Sequence, residues 1–311
     1  MPCYKPLQAC YSESVNVKTG KRVINFLKDS FTDSSLIPVE DRLLLPCGKC
    51  IGCRLERSRQ WALRCVHEAE LWSENCFITL TYSDENLPEG GTLVKKDFQD
   101  FMKRFRKRFS GIDMDQEGNF PIRFFHCGEY GEKYGRPHYH AAIFNFIFDD
   151  LVLFKSKMGI KLYTSPSLQE LWPHGFVTVG ALTFESAAYV ARYIMKKRYG
   201  AGADEHYDGR LPEYITMSRR PGIGAGWFEK FSSDVYPSDT CVIRGRVCKP
   251  PRFYDKLLES DNKALFDSIK ESRKDFALSK QRDNVPERLQ AREKCKELQV
   301  KRLIRELDLV L

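Results

Sequence analysis

The sequence has no apolar run approaching the roughly 18–20 residues that a membrane span needs. Its opening Met1-Pro2-Cys3-Tyr4-Lys5 carries no apolar stretch of the secretory-signal kind. A soluble protein with no membrane partner is therefore expected. No Gly-x-x-x-x-Gly-Lys-Ser/Thr sequence occurs, so no P-loop is present. No Gly-x-Ser-x-Gly or Ser-His-Asp arrangement stands out, which removes serine-hydrolase chemistry. No small-molecule cofactor is called for. Internal repeats and low-complexity segments are absent too.

What is present is a core and a mild basic excess. Hydrophobic residues make up 42% and aromatics 13% of 311 residues, enough to bury a sizeable interior. Lys and Arg number 50 against 42 Asp and Glu, a net charge of +8 that suits a polyanionic partner. Eleven cysteines, an odd number without a signal peptide, read as thiols in a reducing compartment.

The chain divides by pattern into a cysteine-containing region at 1–70, a core at 71–226 and a mostly helical region at 227–311. Arg54 to Glu74 reads as a helix, and Cys76 to Tyr82 as a strand ending at Ser83-Asp84. Thr79 and Thr81 alternate there with Ile78 and Leu80, giving one polar and one apolar face. Lys95 to Phe109 is a helix striped by Phe98, Phe101, Phe105 and Phe109. Its other faces are crowded with cations, including Lys103, Arg104 and Lys107, which are candidate phosphate contacts. Ile122 to Cys127 reads as a strand, Gly128 to Pro137 as a turn region, and His138 to Phe144 as another strand. Phe176 to Gly180 is a fourth strand, and Glu185 to Arg198 a helix ended by Gly200-Ala201-Gly202. Arg219 to Gly226 reads as loop. From Tyr254 onward the chain is helix-prone, with Pro286 separating an earlier helix from a later one.

Three patterns carry chemistry. His138 and His140, two apart on a strand, point the same way, and a divalent metal would use both imidazoles. Otherwise they are core or loop histidines. Tyr189 and Tyr193 share one helix face, followed by Lys196 and Lys197, which could stabilise phenolate charge. Otherwise the tyrosines are packing residues. Cys47, Cys50 and Cys53 have the spacing of a partial metal site, with Cys3, Cys10, Cys65 or His67 as the fourth ligand. Structural Zn²⁺ is the first candidate and iron–sulfur the second.

Three elements in order, Phe77–Tyr82, Pro137–Ala141 and Tyr189–Lys197, resemble the three motifs of the HUH endonucleases, the rolling-circle replication initiators. More narrowly, the chain resembles the initiators of microviruses of the gokushovirus type. Pro46 to Arg54, Gly131 to His140 and Ser218 to Gly224 are similar in kind to segments of that branch. The expected fold is α+β with flanking helices. The resemblance implies a central antiparallel sheet with the histidines on its middle strand and the tyrosine helix packed beneath, and the charged, helix-prone tail adds a helical C-terminal arm. The resemblance also implies that His138 and His140 bind Mg²⁺ or Mn²⁺. Glu129 corresponds to the third ligand, with Glu132 and His126 as rivals. Tyr189 and Tyr193 correspond to the nucleophiles, with Lys197 or Lys196 as the basic partner. Apart from the resemblance, Arg136, Arg219 and Arg220 are further candidate phosphate contacts, or otherwise solvent-facing arginines. The implied activity is nicking and rejoining at a viral origin in single-stranded or extruded DNA. Lacking a P-loop, the chain would depend on a host helicase and DNA polymerase in the cytoplasm of a bacterial host. Two alternatives remain: a non-catalytic, zinc-containing nucleic-acid-binding protein, and a relaxase-like mobilisation nuclease.

Overall fold

A computed structural model describes residues 3–27, 38, 41–109, 122–131, 134–157, 159–196 and 202–302, the side chains of 192–196 and 281 excepted. The fold is α+β. The described residues group into two compact units, one from Met1–Glu56 with Asp275–Leu303, the other from Arg57–Lys274.

The first unit holds a three-stranded antiparallel sheet of β1 (Leu7–Val15), β2 (Arg22–Phe26) and β3 (Arg42–Leu45), in the order β2-β1-β3. The strands are mostly exposed, and Ala9 is their one buried residue. Helix α9 (Pro286–Arg302) contributes buried Leu289 and Glu293, and Lys5 pairs with Glu293 at 3.2 Å.

The second unit is built on a seven-stranded antiparallel sheet. Its strands are β4 (Asn75–Thr81), β5 (Arg123–Tyr130), β6 (Pro137–Phe144), β7 (Val152–Lys157), β8 (Ile160–Thr164), β9 (Val177–Ala181) and β10 (Tyr214–Met217). They lie in the order β10-β5-β6-β4-β9-β8-β7, which puts β6 and β4 centrally. The short α5 (Ala203–Tyr207) precedes β10, and helices α2 (Lys95–Arg108) and α3 (Pro166–Leu171) cover one face. The expected stripe is buried there: Phe98, Phe101 and Phe105 pack with Ile78, Leu80, Tyr139 and Ile143. Helix α4 (Phe184–Lys196) and part of α1 (Ile51–Ala69) cover the other, where Phe77, Phe125, Ala142 and Phe144 meet Cys65, Ala187 and Val190. The Thr79 side of β4 is therefore not the free polar face that alternation suggested, because Phe77 shares it and helices cover it. A third apolar cluster joins Leu63 of α1 to Trp227 and Phe228 of α6 (Ala225–Val235), Tyr254 and Leu258 of α7 (Arg252–Asp261), and Ile269 of α8 (Lys263–Ser279).

Three expectations need correction. The helix expected to reach Glu74 ends at Ala69, where the Asn75 amide donates to the carbonyls of Ala69 and Trp72, both at 3.1 Å. Gly128, Glu129 and Tyr130 are not turn but the continuation of β5. Gly128 serves close packing: a Cβ there would lie 2.8 Å from Tyr214 Cε1 and 3.2 Å from Tyr139 Cδ1. The segment read as loop up to Gly226 gives way to α6 at Ala225. The C-terminal region also contains a hairpin, β11 (Cys241–Ile243) and β12 (Arg246–Cys248), turned at Arg244 and Gly245, both at positive φ. Pro286 does open a helix, at the first residue of α9.

Candidate active site

The register of β5 against β6 sets Glu129 directly opposite His138 and Cys127 opposite His140. Side-chain alternation then brings Glu129, His138 and His140 to one face of the sheet. Glu129 Oε1 lies 2.7 Å from His138 Nε2 and 3.0 Å from His140 Nε2. The three ligand-type atoms all fall within 4.8 Å of one another. The Glu129 and His140 side chains are each 1% exposed and that of His138 16%, so access is past His138.

The outer ring nitrogens explain why these residues suit a cation. His138 Nδ1 faces the Arg136 carbonyl at 3.1 Å, and a carbonyl only accepts. Nδ1 therefore donates, and Nε2 is the ring nitrogen turned toward the carboxylate. His140 Nδ1 meets the hydroxyl of Thr79 at 2.9 Å, directly opposite on β4. Two imidazole nitrogens and a carboxylate oxygen thus converge, and a divalent cation would satisfy all three. Burial pushes the Glu129 carboxyl up, but hydrogen bonds from His138 and His140 outweigh it and hold the group at about 2. We expect Thr79→Val to weaken Mn²⁺ binding by roughly 10–100-fold, because it removes the hydroxyl that orients His140. Titration calorimetry with Mn²⁺ checks this, and unchanged affinity would remove Thr79 from the site.

Of the rival ligands, His126 faces away. It lies on the α2 side of β5, stacked on Phe98 at 3.4 Å, with Nδ1 against Thr216 Oγ1 at 2.8 Å. Burial, then the charge of His140, keep its pKa well below the ordinary value. Glu132 lies outside the described residues.

Helix α4 packs on β5, β6 and β10. Its Tyr189 is 6% exposed, with its ring edge-on to His140 at 5.1 Å and to Phe77 at 6.3 Å. Tyr193 and Lys196 follow on the same helix, but their side chains are outside the description, as is all of Lys197.

The candidate phosphate contacts are dispersed. Lys103 and Lys107 are exposed on α2, across the sheet from Glu129, and Lys103 pairs with Asp100 at 3.2 Å. Arg104 Nε donates to the Leu171 carbonyl at 3.1 Å. Arg136 pairs with Asp84 and donates to the Tyr82 carbonyl, at the His138 end of the sheet. Arg219 and Arg220 are exposed beyond β10, whose pairing of Met217 with Phe125 carries them toward Arg123. Along the strand that is about 20 Å from Glu129.

In the first unit, Cys47, Cys50 and Cys53 are joined by Cys3, all four sulfurs lying within 4.8 Å of one another. Burial raises the Cys50 thiol, and hydrogen bonds from the backbones of Tyr4 and Cys53 and from neighbouring thiols bring it down to about 7. The other fourth-ligand candidates are not in this group. Cys10 is on β1, Cys65 packs with Phe77 and Phe125, and His67 bonds Tyr254 Oη at 2.8 Å while stacking on Trp227.

An antiparallel sheet with a buried Glu-His-His cluster, overlaid by a tyrosine-bearing helix, defines an α+β protein with a candidate divalent-metal site. The family model described as Replication-associated protein ORF2/G2P matches residues 75–198, the stretch that supplies six of the seven strands, the Glu-His-His cluster and the tyrosine-bearing helix. Replication-associated protein VP4 of Bdellovibrio phage phiMH2K is 33% identical over 290 residues, covering 88% of this chain and 87% of the relative. Replication-associated protein ORF2 of Spiroplasma virus 4 is 34% identical over 294 residues, covering 89% and 87%. Replication-associated protein ORF4 of Chlamydia phage 1 is 31% identical, covering 69% of this chain and 53% of its own. The chain belongs to this family of phage replication-associated proteins. No solved structure matches it.

Proposed function

We propose that the protein initiates phage DNA replication by nicking the viral origin and later rejoining the ends, as a metal-dependent endodeoxyribonuclease and strand transferase. The observation that carries this reading is the convergence of His138 Nε2 and His140 Nε2 on Glu129 Oε1, with Tyr189 of α4 against the His140 ring.

In this reading Glu129, His138 and His140 hold Mg²⁺ or Mn²⁺. When bound, the cation neutralises charge on a non-bridging phosphate oxygen. The phenolate oxygen of Tyr189 or Tyr193 attacks phosphorus, and the bond from phosphorus to the 3′ oxygen breaks. The 3′ oxygen leaves and takes up a proton in exchange for the one the phenol gave up, as a hydroxyl that primes synthesis. The 5′ phosphate stays on tyrosine as a phosphodiester, so religation needs no ATP. Lys196 or Lys197 stabilises the phenolate. The second tyrosine, one helical turn away, cuts the regenerated origin, and the freed 3′ hydroxyl attacks the first link to close a circle. Two phenols on one helix face are what such alternation requires. The strand enters single-stranded or extruded, and a host helicase and polymerase in the bacterial cytoplasm supply unwinding and synthesis.

The burial of Tyr189 favours a second reading, a DNA-binding protein without covalent chemistry. One experiment separates the two. An origin oligonucleotide labelled on the 3′ side of the nick is incubated with protein and Mn²⁺, then run on a denaturing gel. We expect label on the protein, lost in His138→Ala and in the Tyr189→Phe, Tyr193→Phe double variant. Each single tyrosine variant should still form the adduct but release no circles. Tight origin binding with no adduct under any divalent metal would establish the second reading.

A further inference from the structure

We propose that Cys3, Cys47, Cys50 and Cys53 together bind one structural Zn²⁺ as a tetrathiolate site, and that this ion holds the first unit folded. The inference is independent of the nicking chemistry.

The first support is geometric. Four thiol sulfurs from two stretches, more than forty residues apart in sequence, lie within 4.8 Å of one another. The Cys3 and Cys50 sulfurs are 3.9 Å apart. In a regular tetrahedron with Zn–S bonds of about 2.3 Å, sulfurs are about 3.8 Å apart. A disulfide would need about 2.05 Å, and a four-iron cubane spreads its thiolates over the corners of a larger cage.

Backbone donors are also in place. The N–H groups of Cys47, Cys50 and Tyr4 donate to the sulfurs of Cys3, Cys47 and Cys50 at 3.3, 3.3 and 3.4 Å. Donors aimed at several sulfurs of one cluster suit thiolates, which accept hydrogen bonds better than thiols do. Gly48, at φ +73°, supplies the left-handed turn between Cys47 and Cys50.

The second support is what the unit lacks. All three buried apolar clusters found among the described residues belong to the other unit. Apart from Cys3 and Cys50, the buried apolar residues described in this one are Ala9 and Leu289. A small unit with so little apolar burial among its described residues needs a staple. A bound zinc supplies it: four thiols give up their protons, four Zn–S bonds form, and the binding free energy becomes folding free energy. The ion would close the chain from Cys3 to Cys47 around all three strands of the small sheet.

The test uses the full chain purified without chelator from zinc-supplemented medium. Mass spectrometry of metal content should find a single zinc per chain, kept in Cys10→Ser and in His138→Ala. Cys3→Ser should lose it. Co²⁺ exchanged into the wild type should give tetrahedral tetrathiolate absorption, and Cys3→His should hold Co²⁺ with the band shifted as one thiolate is replaced. The wild-type measurements need no variant to fold. Metal-free wild type, iron in place of zinc, or full zinc retention in Cys3→Ser would each overturn the proposal.

Discussion

Glu129→Gln should lower metal-dependent nicking by on the order of 10³-fold while leaving the sheet folded. The loss corresponds to several kcal/mol of charge stabilisation at about 1.36 kcal/mol per decade. The variant keeps the shape of the side chain and removes the charge on which both imidazoles converge. A second readout comes from acid titration of the metal-free protein. The Glu129 carboxyl is depressed from 4.5 to about 2 in the fold, against burial, by its two histidine partners. A depressed carboxylate contributes stability that is complete above pH 4.5 and disappears as pH falls through about 2. That contribution is on the order of 3 kcal/mol for a group this buried. Wild type should therefore lose stability between pH 4.5 and 2, and Glu129→Gln should be flatter over the same interval. Denaturant melts at several pH values, beside nicking rates, measure both. Undiminished nicking in the variant would mean that the cluster is not the metal site.

What was legible in the sequence was what depends on local period. The Phe98–Phe101–Phe105 stripe alone gave α2 and its buried face. The one-residue gap between His138 and His140 gave a shared strand face, and β6 provides it. Glu129 was reachable only through family resemblance, because by composition it falls in a glycine-rich stretch. Gly128 resembles a turn residue in sequence and proves to be a packing residue, a difference that depends on Tyr139 and Tyr214 across the strands. The strands of the first unit left no alternating signal because neither face is deeply buried; β2 is exposed throughout. Exposed β7 leaves no alternating signal for the same reason. Thr79 as the partner of His140, and Cys3 as the fourth sulfur, depend on contacts across 61 and 44 or more residues of chain. Periodicity does not report such contacts.

Glu68→Ala should cost roughly 3–5 kcal/mol of stability, an effect of buried charge with no part in the chemistry. Glu68 on α1 accepts from Arg123 Nε at 2.5 Å and from the Gly224 N–H at 2.6 Å. Arg123 in turn donates to the Pro221 carbonyl at 2.7 Å, and Arg64 to that of Ile223 at 2.9 Å. The side chains of Glu68 and Arg123 are 2% and 10% exposed, so removing one charge leaves the other desolvated and unpaired. Replacing both by Met should cost less than the sum of the single changes, since no orphan charge remains. Urea denaturation of wild type, Glu68→Met, Arg123→Met and the double variant measures the coupling; a loss below about 1 kcal/mol for Glu68→Ala would show that the pair anchors nothing. The same contacts give a structural reason for the Ser218–Gly224 segment. Its buried end is fastened to α1 and β5, and that leaves Arg219 and Arg220 exposed on a fixed base. If those two arginines contact phosphate, Arg219→Ala and Arg220→Ala should leave the urea midpoint unchanged. Each should also reduce the salt slope of single-stranded DNA binding by about 0.7. Glu68→Ala should weaken DNA binding only as far as it loosens this segment. That ordering separates an anchored binding surface from arginines that are merely solvated.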